Sequence, residues 1–465
     1  MTTATLDPQK ETGAETKFEW PLCYDAENFI LERIDAFTQQ NSFARTLASR
    51  MRDETGTLIL DWTDYLLLPA SDEEALRATG YTDDPLADAP DAQKQLWHPE
   101  AMLPRVLVAP TNAKYPLALG IRPESLADFA GVHGITNEIE GAPLSRFRRL
   151  LINDENGARL ETIERRAYRG YMPEEPDLKS YLAARELYRT RRRIWDDDGK
   201  GMQHTHERIG QMIELVGPDL ACHLVFEEER RYWEKRNRAG TDQKRRQDTL
   251  GLGWANHDHH TFRSSRECFV DLIKAWEILG FHRRERYYAG AEAGWGAQIV
   301  EQPVEGIIIF NDVDLNSDEV EVDFSRNPLP AQPKLGTIGL WSGLHGESLL
   351  EAGMHHLECR FDHALLREQL ASEGINTMRP FSDFPFLKQA FTEGERWKVR
   401  RARAERLLQI GSITQEQFQE FTTKGAIGSH LENLQRKGGF KGFNQHAVSI
   451  IIAETDPRKQ QGASI

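Results

Sequence analysis

Only four cysteines occur in 465 residues, and Cys23, Cys222, Cys268 and Cys359 stand far apart with no C-x-x-C pair. That spacing argues against a disulfide framework and a cysteine-based zinc site, and the expectation is reduced thiols in a cytoplasmic protein. No apolar run approaches the roughly 20 residues that cross a bilayer. The polar start "MTTATLDPQKETGAETK" has no secretory h-region and reads as a disordered tail over 1–20. Phosphate-cradling loops are also missing. "AGAEAGWG" (289–296) has neither the Lys-Ser/Thr of a P-loop nor G-x-G-x-x-G spacing. No G-x-S-x-G stretch argues for a serine hydrolase. Basic residues are outnumbered, 58 against 73, for a formal charge of −15, which disfavours nucleic acid and anionic membranes as partners. The local run "RTRRRIW" (189–195) is followed at once by "DDD" and reads as a solvated helix end.

What is present supports an α+β protein. With 39% hydrophobic residues the chain can bury sizeable cores, and its length suggests two or three structural units. The stretch from Asp25 to Asp53 has helical apolar spacing, and "GTLILDWTDYLLLP" reads as a buried strand. Residues 178–250 read as strongly helical, ending in the polar, Gly-punctuated tract "GTDQKRRQDTLGLG". We therefore expect a largely helical α+β region over 21–250 and a second region over 251–460. The first is open between three roles: a degenerate copy of the second, a lid, or a homo-oligomer interface.

The second region looks duplicated, dividing into 251–345 and 346–460. "HDHHTFRSSRECFVDLIKAWEILGF" and "MHHLECRFDHALLREQLASEGI" each begin with an extended run bearing His, pass into an amphipathic helix and close on Gly. β-type runs follow each, "GAQIVEQ" and "GIIIFNDVDL" in the first, "HLENLQ" and "HAVSIIIAET" in the second. Two βαβββ units in tandem are the expectation.

Alternate residues of a strand share a face. That groups His259, Thr261 and Arg263 in the first unit and His356, Glu358 and Arg360 in the second, with His260 and His355 on the opposite faces as fallback ligands. Both grouped faces then carry H-x-x-x-R. Two imidazoles and one carboxylate form a facial set that leaves positions open on iron(II). The late carboxylate is Glu432 in "SHLENLQRKGGFKGF" or Glu454 in "IIIAETD". Arg263 and Arg360 suit an anionic substrate, because a guanidinium fork binds carboxylates bidentately. "HTHER" (204–208) puts two His two apart on a helix, where they do not share a face. "ERWKVRRARAERLLQIGSITQEQFQEF" (395–421) reads as an inserted helical pair, either a lid or plain packing.

"DHHTFR" followed by "LGFHRRERY" resembles the 2-oxoadipate dioxygenase/decarboxylase family (hydroxyglutarate synthases), and "HLENLQRKGGFKGFNQHAVSIIIAE" resembles the end of 4-hydroxyphenylpyruvate dioxygenases. Both belong to the vicinal oxygen chelate superfamily, whose paired βαβββ modules form a half-open barrel around a metal. The resemblance covers roughly 255–455. It implies Fe(2+) on His259, His356 and Glu432, and a carboxylate-binding Arg263. It also implies oxidative decarboxylation of a small 2-oxo acid with O2. Extradiol cleavage of a catechol, with His446 or His430 as acid/base, is an alternative on the same fold, although an exposed loop is the simpler reading of either His. A metal-free ligand-binding cup is another. Two features depart from the family: some 250 residues precede the first metal His, and Glu358 stands where relatives carry small residues. Glu358 is expected to support the ligands or to alter substrate choice.

Overall fold

The computed structural model describes residues 20–442 apart from 86–88, 90–91 and 379–381. The tail over 1–20 (Trp20 apart), the run "HAVSIIIAET", Glu454 and His446 lie outside the described residues.

The chain opens with two helices, α1 (Tyr24–Gln40) and α2 (Ser42–Thr55), where the sequence suggested one. Asn41 separates them: its backbone is extended and its side chain accepts from Ala44 N, a cap that starts α2. There follow β1 (Thr63–Leu68), α3 (Glu73–Ala78), β2 (Thr82–Asp83), β3 (Lys94–Trp97), β4 (Arg105–Val108), β5 (Leu117–Ile121), α4 (Leu126–His133), β6 (Ile139–Glu140), β7 (Phe147–Glu155) and β8 (Ala158–Arg165). Three helices come next, α5 (Leu178–Arg189), α6 (Asp198–Glu234) and α7 (Arg238–Asp248). The rest comprises β9 (His257–Arg263), α8 (Phe269–Ile278), β10 (His282–Tyr288), β11 (Trp295–Gln302), β12 (Ile307–Asp314), α9 (Thr337–His345), β13 (His356–Arg360), α10 (His363–Ser372), β14 (Ser382–Phe384), β15 (Leu387–Phe391), β16 (Glu395–Trp397), α11 (Arg401–Gln409), α12 (Gln415–Lys424) and β17 (Ala426–Arg436).

These strands build two open mixed sheets of the same topology. The first has the order β2-β3-β4-β1-β5-β8-β7-β6 and the second β10-β11-β12-β9-β13-β17-β15-β14, with β16 added onto β17. In both, the first strands of two βαβββ units meet antiparallel at the centre, β1 on β5 and β9 on β13. In both, each unit's last strand lies parallel beside its first. The paired-module arrangement expected of the C-terminal half is present over the described strands β9 to β17, and the N-terminal half carries it a second time. The last strand of the final unit is β17, and α11 and α12 are inserted before it. They bury Leu407, Phe418 and Phe421 with Leu340 and Leu344 of α9 in a small core of their own.

Alternation sorts each central strand between two environments. His260 and Phe262 of β9 turn onto α6 and α8, where Phe226, Trp276 and Phe281 form an aromatic cluster. The opposite, polar set of β9 faces the open concave side. Helices α5 and α6 bury Tyr181, Tyr188, Phe226 and Trp233 in this core of the second sheet.

Helix α6 calls for a correction, because its 37 residues are long and apolar enough to span a membrane by length and composition. Gly217 (φ 76°, ψ 166°) breaks the helical backbone, and Pro218 has no N–H with which to continue the ladder. It is thus two stacked helices, and much of the second is buried on β9 and α8.

Candidate metal centre

Register across three adjacent strands creates the site. Glu358 of β13 pairs with His259 of β9 on one side and with Glu432 of β17 on the other. Paired residues project to the same face, so the three side chains form one row on the concave side. Ligand atoms of His259, Glu358 and Glu432 all lie within 4.8 Å of one another. The neighbouring row is Thr261, His356 and His430. His356 Nε2 lies 2.6 Å from Glu358 Oε1, and His259 Nε2 is 3.8 Å from the same oxygen. Of the three residues singled out from the sequence, His259 and Glu432 share this cluster with Glu358, and His356 reaches it through its 2.6 Å contact with Glu358.

The surroundings fix the direction of each donor. A register shift between Glu358 and Cys359 leaves Asp258 as the extra residue of β9. Asp258 Oδ1 accepts from His259 Nδ1 at 2.8 Å, so Nε2 is the nitrogen presented to the cluster. Arg436 clamps the same carboxylate through Nε at 2.9 Å and Nη2 at 2.8 Å. Gln389 donates to Glu432, and Thr261 Oγ1 donates to Glu358 at 2.8 Å. His260 and His355 point elsewhere: His260 onto Phe226, and His355 through Nδ1 onto Gly428 O at 2.9 Å.

Electrostatics mark the row as a place for a cation. Burial raises the Glu358 carboxyl to about 7 against the partly opposing pull of His259. Burial, then the adjacent Glu358, pushes Glu432 well above the ordinary carboxylate range. Burial alone would lower His259, but Glu358 and Asp258 overcome it and raise it. His356 falls well below its usual value through burial and the nearby Arg263. Two carboxyls buried face to face and two imidazoles with Nε2 turned toward them fit a divalent ion, which would relieve the like-charge cost.

Arg263 lies one further step along β9, 2% exposed, with Nε 3.7 Å from Asp312 Oδ2 and its guanidinium 5.6 Å from the Trp341 ring. Burial lifts Asp312 to about 7, opposed by Arg263. Arg360 stands apart from the row: it is a quarter exposed and its Nε is 3.9 Å from Asp258 Oδ2. His430 corrects a sequence expectation, being 1% exposed on β17 and not in an exposed loop. Its Nδ1 bonds Thr392 O at 2.9 Å, and its buried Nε2 has no hydrogen-bond partner. Phe310 and Phe391 pack on His259 and His356, with ring centroids 4.6 and 5.7 Å apart.

Sequence reasoning missed Asp258, Arg436 and Gln389 as supports. Asp258 sits inside the very stretch "NHDHH" that drew attention, but strand alternation assigns it to the opposite face, and only the bulge brings it to His259.

No family model and no curated protein matches the chain. Among solved structures, a triple mutant of 4-hydroxymandelate synthase from Streptomyces coelicolor is similar over 86% of this chain and 99% of its own, at 13% identity and TM-score 0.29. Methylmalonyl-CoA epimerase from Mycobacterium tuberculosis is similar over 39% of this chain and 89% of its own, at 13% identity and TM-score 0.23. The uncharacterized protein YdcJ from Shigella flexneri is similar over 56% of this chain and 73% of its own, at 11% identity and TM-score 0.25. Likenesses this low carry no function across; the strand order and the row of donors stand on their own.

Proposed function

We propose that this chain is a non-haem iron(II) dioxygenase that oxidatively decarboxylates a small 2-oxo acid, with its metal on His259, His356 and Glu432. Glu358 joins them as a second carboxylate between the two imidazoles. The observation that carries this reading is the buried row His259–Glu358–Glu432, whose ligand atoms converge within 4.8 Å. When bound, iron(II) would supply Lewis acidity and a one-electron path to dioxygen, while the 2-oxo acid, losing carbon dioxide, would give up two electrons of its own.

The chain's own residues do the rest. Arg263 holds the substrate carboxylate by charge-assisted hydrogen bonds, and Asp312 beside it keeps the guanidinium aimed along the strand. Arg360 is a second, outer carboxylate contact in this reading. Asp258 holds the proton on His259 Nδ1 and keeps Nε2 free for the ion. Phe310, Phe391 and Trp341 exclude water, which strengthens every charge interaction inside.

One observation favours a second reading on the same metal. The unpartnered Nε2 of His430 lies in the row beside the donors and can take or return a proton, as extradiol ring cleavage or a metal-assisted isomerisation requires. A single experiment separates the two. Anaerobically iron-loaded protein is mixed with air and either 2-oxo acids or catechols, and oxygen uptake and carbon dioxide release are recorded. Uptake matched by carbon dioxide from a 2-oxo acid supports the first reading. Uptake with catechols and without carbon dioxide supports the second.

A further inference from the structure

The N-terminal sheet repeats the topology of the metal-bearing sheet, so its concave face can be compared with it row by row. Where the second sheet has His259, Glu358 and Glu432, the first has Tyr65, Gly120 and Glu161 in register across β1, β5 and β8. The tyrosine takes the place of the imidazole, and its hydroxyl bonds the carboxylate of Glu161. Gly120 makes this possible: a Cβ there would stand 2.4 Å from Tyr65 Cε1. With one carboxylate, no imidazole and a phenol bridging the row, this face is not built for a metal.

It is not filled in either. A cavity of about 370 Å³ opens on it between Tyr65, Leu67, Leu107, Tyr115 and Tyr171. That volume is at the lower end for small-molecule sites, which are mostly apolar with a few placed polar groups. The polar groups here are predominantly cationic. Arg149 and Arg159 line the cavity with Nη1 atoms 3.9 and 3.7 Å from the two oxygens of Glu161, and Lys114 stands at the mouth. Arg159 stacks 3.9 Å over the Tyr115 ring, which fixes the plane of its fork. Two buried polar atoms have no hydrogen-bond partner, Tyr171 Oη and Arg159 Nε, and Tyr171 is only 7% exposed. Buried donors left unsatisfied are costly, and both belong to side chains that line the same space.

We infer that the N-terminal sheet is a second binding cup, which takes a small carboxylate with an aromatic or branched apolar body. The carboxylate meets Arg159 and Arg149, the Tyr171 hydroxyl donates to it, and the three tyrosine rings cover the body. Glu140 holds Arg149 Nη2 at 2.7 Å and Asp154 stands 4.0 Å from Arg159 Nη2, so the two unpartnered donors, Arg159 Nε and Tyr171 Oη, set the sign of the ligand, and the apolar walls set it apart from inorganic anions.

The test is calorimetric titration of benzoate and of isovalerate into the full chain. Wild type and Arg263→Gln are compared with Arg159→Gln and Ala118→Leu. Ala118 lies in register between Leu67 and Arg159, so a leucine there fills the cavity. The expected result is one saturable event for at least one of the two ligands that survives Arg263→Gln and weakens about tenfold or more in both other variants. Should Ala118→Leu not fold, Arg159→Gln decides alone, since that side chain is already 28% exposed. Absence of saturable binding to wild type overturns the inference. So does binding that Arg159→Gln leaves unchanged, that only Arg263→Gln abolishes, or that inorganic phosphate displaces equally well.

Discussion

Replacing Glu358 with glutamine should stabilise the metal-free protein at alkaline pH while weakening its hold on metal. Glu358 is fully buried, faces Glu432, and has its carboxyl raised from 4.5 to about 7. A carboxyl with a raised folded pKa costs nothing where both states are protonated; its cost accumulates as pH climbs from the unfolded value through the folded one. The window is therefore about pH 4.5 to 7, and by pH 8 the full cost is about 3 kcal/mol, at 1.36 kcal/mol per pH unit. Glutamine keeps the shape and can still accept from Thr261 but carries no charge. Metal-free wild type should lose about 2 to 3 kcal/mol between pH 5 and pH 8 from this group, and Glu358→Gln should not. Urea denaturation after exhaustive chelation, at both pH values, reads the difference directly. Iron(II) added to wild type at pH 8 should restore stability, by about 2.7 kcal/mol at a hundredfold excess over Kd. A Glu358→Gln protein less stable than wild type at pH 8, or one pH dependence shared by both proteins, would refute a buried charge cost at Glu358.

Asp258→Asn removes the carboxylate that fixes the His259 tautomer and should weaken metal affinity about 10- to 100-fold, measured by competition with a metallochromic chelator. Arg263→Gln should raise KM for a 2-oxo acid about 10- to 100-fold, the worth of a charge-assisted hydrogen bond, and leave metal content unchanged. Trp276→Ala empties a site that is 0% exposed, ringed by Phe226, Phe262 and Phe281, and takes the donor from Asn311 Oδ1. It should cost about 3–5 kcal/mol in urea denaturation without changing metal stoichiometry.

The legible part of this protein was its strand alternation. Period-2 reading of "HDHHTFR" and "HHLECR" divided His259, Arg263, His356 and Glu358 from His260 and His355, and the faces of β9 and β13 follow that division. It also gave the tandem βαβββ units, because each begins with a run dense in polar chemistry. The N-terminal pair stayed hidden for the converse reason. Its strands run only two to six residues before β7, and its central row of Tyr, Gly and Glu carries no recognisable chemistry. Glu358 was noticed as an acid on the right face but placed in support, since sequence does not give the register that sets it between His259 and Glu432. The support from Asp258 depends on a bulge, and bulges leave no mark in a stretch without glycine or proline.

In the proposed site a single cation sits among His259, His356, Glu358 and Glu432. Protein loaded anaerobically with iron(II) and desalted should retain about one equivalent of metal by elemental analysis, and His259→Ala and Glu432→Gln less than about a tenth, with folding intact by circular dichroism. Equal retention by these variants and wild type, or no retention by wild type, would contradict it.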